Sequence, residues 1–230
     1  MSLENKINYQ KELEKETKKW SELGVCPTIL LHCCCAPCAS YCMEYLSQFA
    51  GLTAFYYNPN ITDENEYRHR VSELKRLIDE MMREKTGADT KMDGIGGNET
   101  GLSAGMLPGN RIDFMEGEYV PERFYEIAKG LENEPECGRR CILCYELRLR
   151  KTAEEAAKGG YDYFTTTLTI SPLKDAQVLN HLGQKLAAEY GVKYLPSDFK
   201  KNGGYQRSIE LSKKYNLYRQ NFCGCEFSRR

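Results

Sequence analysis

The sequence predicts an α/β fold in which helices cover both faces of a mainly parallel sheet, in a Rossmann-like arrangement. Two observations support this prediction. Short segments rich in apolar, β-branched and aromatic residues alternate along the chain with longer segments of helical periodicity. The first predicted strand also runs directly into a cluster of cysteines, and folds of this class place their sites beyond the carboxyl ends of their strands.

The first half of the chain is predicted to contain two strands and two helices. Residues 28–34 (TILLHCC) form an apolar run typical of a buried strand. The helix predicted over residues 38–49 has aromatic residues at four-residue steps. The remaining elements are a strand over 52–57 and a helix that begins near Thr62, a candidate N-cap, and ends near Gly87.

The second half begins with residues 87–110, which contain seven glycines and are predicted to form a mobile loop or insertion and a candidate lid. Helices are then predicted over 121–131, 141–157, 175–190 and 206–215, with strands over 162–170 and 192–199. We therefore predict an N-terminal arm or solvated helix over residues 1–24 and a single catalytic domain over residues 25–230. That domain has a helical, glycine-rich insertion at about 87–120 and a C-terminal tail that contains cysteines.

Composition excludes several classes of protein. With 41% hydrophobic residues, 28% charged residues and a net charge of −1, the chain is ordinary for a globular protein and has no strong global field. No segment approaches the roughly 20 apolar residues that a membrane helix needs, and no signal peptide is apparent, so we expect a cytoplasmic protein without a membrane partner. Basic residues concentrate in 139–151 and after Arg207, where they form either one anion-binding site or solvated helix faces.

The eleven cysteines are the strongest indication of chemistry. Because their number is odd and no secretion signal is present, metal or redox chemistry is favoured over a disulfide framework. They form three clusters, which are HCCCAPC over residues 32–38, Cys137-x3-Cys141-x2-Cys144, and Cys223-Gly224-Cys225. We expect Cys26 and Cys42 to be small packing residues and His32 to be structural, whereas Cys33 and Cys137 have no assigned role.

The spacing of the first two clusters suits a shared metal site. Cys34 and Cys35 converge if the chain turns where the strand ends, and Cys38 follows Cys35 at CxxC spacing near a helix start, which favours thiolates. Cys141 and Cys144 lie three residues apart on one helical face. Four such thiolates suit zinc or an iron–sulfur cluster, and one CxxC alone suits a thioredoxin-like dithiol. Iron–sulfur is favoured because the two pairs are far apart in the chain.

Seven ordered motifs resemble one known family. They are HCCCAPC, YYNPNI, EYRHR, CILCYELRLRKTAEEA, FTTTLTISPLKD, DFKKNGGYQRS and LYRQNFCGC, and they extend from about Leu30 to Cys225. In this order they resemble the cobalamin-independent epoxyqueuosine reductases of the QueH type. The resemblance implies an iron–sulfur oxidoreductase that reduces epoxyqueuosine, a modified wobble base of the tRNA anticodon, to queuosine.

The resemblance also implies roles for single residues. Cys34, Cys35, Cys141 and Cys144 match the cysteines that hold a [4Fe–4S] cluster in the family, and Tyr145 completes the same motif. Cys38 is a candidate ligand for an additional iron. The terminal pair, Cys223 and Cys225, matches a redox-active disulfide of the family.

Substrate contacts are predicted from residue type. Tyr145, Tyr205 and Tyr218 suit stacking on an unstacked anticodon base, and Arg148, Arg207 and Arg219 suit phosphate contacts. Asp198 and Asp175 are candidates for orienting the substrate or delivering a proton. Ordinary packing or solvation explains each of these residues equally well. Because no nicotinamide or flavin fingerprint is present, we expect an external electron donor.

Two other functions remain open at this stage. An ATP-dependent tRNA sulfur-transfer enzyme needs a glycine- and serine-rich phosphate loop after the first strand, but CCCAPC occupies that position. A zinc-binding structural module needs the same thiolates without iron or activity.

Overall fold

The computed structural model describes residues 6–86 and 111–228. Its centre is a parallel sheet of five strands in the order β3-β2-β1-β4-β5. The strands are β1 (Thr28–His32), β2 (Gly51–Tyr56), β3 (Ile112–Glu116), β4 (Tyr163–Thr166) and β5 (Lys193–Tyr194). The predicted α/β fold with a parallel sheet is confirmed. The predicted glycine-rich loop and candidate lid over residues 87–110 lie outside the described residues.

Seven α-helices connect and flank the strands in the described ranges. They are α1 (Tyr9–Leu23), α2 (Ala36–Leu46), α3 (Glu64–Thr86), α4 (Glu122–Ala128), α5 (Arg139–Lys158), α6 (Ala176–Tyr190) and α7 (Gly204–Lys214). Short 3₁₀ turns follow β4 (Thr167–Ile170) and lie near the C-terminus (Glu226–Ser228). No helix in these ranges is both long and apolar enough to cross a bilayer.

The central strand β1 is buried on both faces, as parallel strands covered by helices usually are. Ile29 and Leu31 point into the core formed with α1, α2, α3 and α7. Leu30 points to the opposite core, which α5 and α6 cover. The alternation of side chains along a strand explains why one unbroken apolar run supplies both cores.

The N-terminal segment, expected to be a solvated helix or a loose arm, forms helix α1, but one face of this helix is buried rather than solvated. Asn8 caps its start, and Gly24 ends it in a left-handed conformation. One face is buried, with Leu13 fully inaccessible and the Trp20 ring 5.1 Å from the Tyr163 ring. Periodic apolar residues among many charges were sufficient for a packed amphipathic helix.

Four local predictions need correction. Strand β3 was placed inside the predicted insertion because its charged residues, such as Asp113 and Glu116, obscure the strand pattern; they are tolerated at a sheet edge. The cap of α3 is Asp63, whose carboxylate accepts from the Glu66 amide, rather than Thr62. Residues 162–170 divide into β4 and a 3₁₀ turn because the Thr166 hydroxyl caps that turn. The strand predicted over 192–199 is only two residues long.

Successive strands are added on opposite sides of the sheet before and after the β1–β4 pair. From β1 the chain proceeds to β2 and β3 on one side, and from β4 it proceeds to β5 on the other. Connections therefore diverge at the carboxyl ends of β1 and β4, which leaves a crevice there. The first cysteine cluster follows β1 at this crevice.

Candidate metal and redox centre

Three cysteines meet immediately after β1. The sulfur atoms of Cys34, Cys35 and Cys38 all lie within 4.8 Å of one another, and the Cys34 and Cys35 sulfurs are 3.9 Å apart. Cys35 is the N-cap residue of α2 and has an extended backbone, and Pro37 occupies the first turn of the helix. The turn from strand to helix therefore gathers side chains that a regular strand would point to opposite faces.

Neighbouring loops fix this turn. The Cys34 amide donates to the Thr167 hydroxyl at 3.3 Å, and the same hydroxyl lies 3.5 Å from the Cys34 sulfur. The Asn58 side chain donates to the carbonyl of Cys33 at 2.9 Å. The segments after β1, β2 and β4 thus hold one another at the crevice.

Other residues of the first cluster have packing roles. Cys33 is fully buried in the core beside α2, as is Cys42, so neither points into the crevice. His32 is also buried, and its ring nitrogens contact the Thr166 hydroxyl at 2.9 Å and the Tyr57 carbonyl at 3.2 Å. These contacts agree with the expected structural role of His32. Cys26 is exposed rather than packed, contrary to the expectation from sequence.

The crevice contains a cavity of about 440 Å³. Cys34, Cys35 and Cys38 form one wall, and the loop after β4 and the C-terminal tail form the others. The principal polar and aromatic residues that line it are Arg70, Glu136, Arg148, Ser171, Lys174, Tyr205, Ser208, Arg219, Gln220 and Cys223. Its volume lies within the range of small-molecule sites, so one flipped base or a fragment of similar size fits.

A second, smaller cavity of about 20 Å³ adjoins the first. Cys141, Cys144, Tyr145 and Cys225 line it, together with four residues that also line the large cavity: Glu136, Arg148, Lys174 and Cys223. Among the described residues, the close three-sulfur group contains Cys34, Cys35 and Cys38. Cys141 and Cys144 approach it from the adjoining cavity rather than joining that group.

Helix α5 presents Cys141 and Cys144 toward the site from its first two turns. The Cys137 amide donates to the Cys141 sulfur at 3.2 Å, and Cys137 has a φ of 70°, which is uncommon for a residue with a side chain. The Cys137 thiol itself is exposed and donates to the Leu173 carbonyl at 2.7 Å. Cys137 therefore joins the start of α5 to the loop after β4.

The C-terminal tail brings the third cysteine cluster to the same place. Cys223 and Cys225 are free thiols here, and Cys225 packs with Cys144 and Phe124. The Cys223 carbonyl accepts from the side chains of Asn60 at 3.2 Å and Arg70 at 3.3 Å. All three clusters predicted from the sequence thus converge, although more than 180 residues separate Cys34 from Cys223.

The polar face of α3 holds the tail along its length. Arg76 donates to the carbonyls of Tyr215 at 3.0 Å and Asn216 at 3.3 Å. Glu73 accepts from the Tyr218 amide at 3.0 Å. Arg70, which is 2% exposed, pairs with Glu66 one turn earlier on the helix. These contacts position a tail segment that has little regular structure of its own.

The thiols influence one another electrostatically. Hydrogen bonds from Cys35 and Cys38 hold the pKa of Cys34 well below its usual value, and the Lys174 ammonium acts in the same direction. Donation to Cys34 raises the pKa of Cys35 to about 11 and raises the pKa of Cys38 strongly. Burial raises the pKa of Cys144 to about 11. The surroundings therefore favour one thiolate in the first cluster, at Cys34.

The tail shows the same pattern. Hydrogen bonds from Cys225 and then Ser228 lower the pKa of Cys223, whereas donation to Cys223 raises the pKa of Cys225. The Ser228 hydroxyl lies 3.1 Å from the Cys223 sulfur. Cys223 is thus the residue of the pair that the surroundings prepare as a nucleophile.

The predicted substrate residues fall into two groups. Tyr205 and Arg219 line the large cavity, Tyr145 lines the small one, and Arg148 lines both. Arg148 is only 3% exposed and donates to the Cys144 carbonyl and to Asn58. Asp198 and Arg207 do not line either cavity. Asp198 is buried beside Lys200, and the exposed Arg207 pairs with Glu44 and Glu210.

Of the two basic stretches, Arg148 and Arg219 line the large cavity, and Arg140 and Arg148 line the small one. Arg140 also donates to three carbonyls of the loop before α5. Tyr218 and Asp175, which were also candidates, hold the tail and cap α6 respectively.

Sequence reasoning missed three polar residues of the site, namely Arg70, Lys174 and Asn60. Each lies in a motif that was recognised, but helix and loop patterns do not reveal which side chain points inward. The position of Lys174 in the loop after β4, next to the switch point of the sheet, is the one usable indication.

The fold and the site together define an α/β protein whose thiol-rich centre lies at the switch point of a parallel sheet. Comparison with known proteins specifies the family. The family model described as Epoxyqueuosine reductase QueH matches residues 29–96 and 97–230. The chain belongs to this family, which confirms the resemblance drawn from its motifs.

Named relatives cover nearly the whole chain. The epoxyqueuosine reductase QueH of Streptococcus pyogenes serotype M1 is 41% identical over 228 residues, which are 99% of this chain and 80% of that protein. The protein of the same name from Staphylococcus epidermidis is 43% identical over 97% of this chain and 85% of its own. The one from Thermotoga maritima is 31% identical over 87% and 90% respectively.

Proposed function

We propose that this protein is an oxidoreductase that reduces epoxyqueuosine to queuosine at the wobble position of tRNA. The observation that supports this most directly is the convergence of three cysteine clusters on one cavity in a member of the QueH family. Since the substrate is tRNA, the proposal also implies a cytoplasmic location.

The donor set fits an iron–sulfur cofactor. Thiolates are the ligands of [4Fe–4S] clusters, and such a cluster supplies electrons one at a time when it is bound. We propose that Cys34, Cys35, Cys141 and Cys144 hold the cluster and that Cys38 helps to hold an additional iron. The buried Arg148 and the half-buried Lys174 offset the negative charge that several thiolates bring to one place.

The large cavity has the properties required of a site for the modified base. Conversion of an epoxide to an alkene takes up two electrons and two protons and releases one water, so an external electron donor is needed. A loop base can leave its stack and enter such a cavity. Tyr205, which is 38% exposed at the wall, provides a stacking surface, and Arg219 provides a cation for phosphate.

We further propose that Cys223 and Cys225 form a redox pair. They line the small cavity with Cys144, and Cys223 also faces the large cavity. Both thiols are therefore next to the proposed cluster ligands, and Cys223 also borders the proposed substrate space. A disulfide between residues that flank a single glycine is strained, and strained disulfides are readily reduced.

The two competing functions are less well supported. A phosphate-binding loop after β1 would need free backbone amides, but the segment is occupied by Cys34, Cys35 and a proline-started helix. A structural zinc module needs no large cavity beside its ligands, yet the thiols here form its wall.

The test begins with anaerobic purification and measurement of iron, acid-labile sulfide and zinc per chain. We expect about four or five irons and about four sulfides, which matches a cluster with an additional iron. The protein is then incubated with reduced electron donor and tRNA that contains epoxyqueuosine, and the nucleosides are analysed by mass spectrometry. Zinc without sulfide after attempted anaerobic reconstitution, together with unchanged epoxyqueuosine, would contradict the proposal and favour the zinc module.

A further inference from the structure

Two cations border both cavities. Arg148 and Lys174 both line the large cavity and the small one. In the described part of the chain, neither forms an ion pair with a carboxylate. Arg148 is buried and Lys174 is half-buried. Because removing an unpaired cation from water is costly, these two positions favour negative charge from another source.

The groups that face the cations are mainly thiols. The Lys174 ammonium interacts electrostatically with the thiols of Cys34, Cys38 and Cys223. The Arg148 guanidinium interacts in the same way with those of Cys144, Cys34 and Cys223. Glu136 is the one carboxylate among the described residues that line the two cavities. The negative charge that balances the two cations therefore comes from the cysteines rather than from a carboxylate in an ion pair.

The two cations differ in what else they do. The Arg148 guanidinium donates to Asn58, which in turn holds the Cys33 carbonyl, so its removal would disturb the loop after β1. Lys174 lies on the turn just before the Asp175 cap of α6. Its ammonium makes no side-chain hydrogen bond among residues 6–86 and 111–228. Lys174 is thus the cation whose charge can be changed with the least change in packing.

We propose that Lys174 sets the reduction potential of the metal cluster held by the surrounding cysteines. Each added electron makes a thiolate-ligated cluster more negative, and a nearby cation stabilises the reduced form over the oxidised one. Lys174 is therefore a positioning residue that acts through the cluster and keeps it reducible by its donor. This inference rests on the proposed function because it requires the cluster.

The experiment compares Lys174→Gln, Lys174→Arg and the wild type after anaerobic reconstitution to equal iron and sulfide content. The matched control is Lys185→Gln, which makes the same charge change at an exposed lysine of α6 that pairs with Glu146. The midpoint potential of each protein is measured by a redox titration followed by electron paramagnetic resonance, without tRNA. Steady-state KM and kcat are measured separately.

For Lys174→Gln we expect the midpoint potential to shift by about 59 mV to a more negative value. For a one-electron couple this shift equals a fall of about tenfold in the ratio of reduced to oxidised cluster at the wild-type midpoint. Lys174→Arg should restore the wild-type potential, and Lys185→Gln should not shift it. An unchanged midpoint in Lys174→Gln would overturn the inference while leaving the proposed function intact; a raised KM alone would then assign Lys174 to substrate binding.

Two other results would also overturn it. Loss of iron from Lys174→Gln but not from Lys174→Arg would make Lys174 a residue of cluster assembly. If the wild type binds no iron–sulfur cluster at all, the proposed function fails first and the inference fails with it.

Discussion

The cysteines at the two ends of the chain reach the same cavity by different physical means. Cys34 and Cys35 continue directly from β1, whose backbone is paired on both sides within the sheet. Cys223 and Cys225 lie on an irregular tail that side chains hold from outside, mainly Arg70 and Asn60. The sheet fixes the position of Cys34 and Cys35, whereas a few polar contacts fix the position of Cys223 and Cys225.

This difference supports the division of roles proposed for the two groups of cysteines. Central strands are the last parts of a fold to open, whereas segments with few backbone hydrogen bonds open locally at low cost. A metal centre requires ligands held in fixed positions, and a dithiol that forms and breaks a disulfide requires freedom to move. The predictions below test this contrast between the sheet-anchored and tail cysteines.

The largest effect is expected at the sheet-anchored thiols. Replacing Cys34 or Cys35 with Ser should remove most of the bound iron and abolish the reduction of epoxyqueuosine, because a serine oxygen is a poor ligand for the proposed iron–sulfur cluster. Iron and sulfide analysis after anaerobic purification measures the change. Cys42→Ala is the control, since Cys42 is buried in the core away from the cavities. Retention of full iron in both Ser variants would contradict the ligand assignment.

A smaller effect is expected when the tail is released. Arg70→Gln leaves Glu66 without its guanidinium partner and removes a donor to Cys223, which should cost about 3 kcal/mol of stability. Hydrogen exchange should increase over residues 219–225 but not over residues 33–38. Arg76→Gln is the control, because Arg76 is 38% exposed and holds the tail farther from the cysteines. Equal increases in exchange over both segments would show that the two groups are not held independently.

A more local effect is expected at the glycine between the tail cysteines. Gly224 has a φ of 100°, and a Cβ atom there would lie 2.6 Å from Ile61. Gly224→Ala should therefore destabilise the tail by about 2 kcal/mol and slow turnover, while bound iron is retained. Gly130→Ala is the control, since Gly130 also has a positive φ but nothing lies within 4 Å of the added atom. Equal unfolding free energies for the two variants would exclude a contribution from the Ile61 contact.

The smallest effect is expected at Arg207, which is predicted from sequence to contact phosphate. In the structure it forms exposed ion pairs with Glu44 and Glu210, away from both cavities. Arg207→Gln should change the unfolding free energy by no more than about 1 kcal/mol and leave the KM for tRNA unchanged. A several-fold rise in KM would instead show that tRNA extends across the surface to α7.

Much of the fold followed from local patterns. The secondary structure of several segments was predictable from their own residues, because strand and helix periodicity are local properties. Examples are the buried run 28–34 and the amphipathic helices α5 and α6. Strand β3 was missed because its charged, half-exposed residues remove that periodicity at the edge of the sheet. The end of the strand predicted at 162–170 was misplaced because the turn depends on one hydroxyl contact of Thr166.

Some features of the candidate site were likewise predictable from the sequence, and others were not. The family, the cysteine clusters and the place of the first cluster beyond β1 were accessible from residue type, order and spacing. Charge alone did not distinguish Arg148 and Arg219, which line the large cavity, from Arg207, which lines neither cavity. For Lys174 the one indication was its position in the loop after β4, because a single lysine in a loop otherwise resembles any solvated residue.

The sequence by itself determined the class of fold, the three cysteine clusters and the family, because periodicity, residue spacing and motif order are properties of the chain itself. Only the tertiary structure decided which thiols meet, which arginines are buried and that Lys174 lines both cavities. The reason is that these properties depend on contacts between segments far apart in sequence, such as the tail held by α3, and a local pattern contains no information about its distant partner.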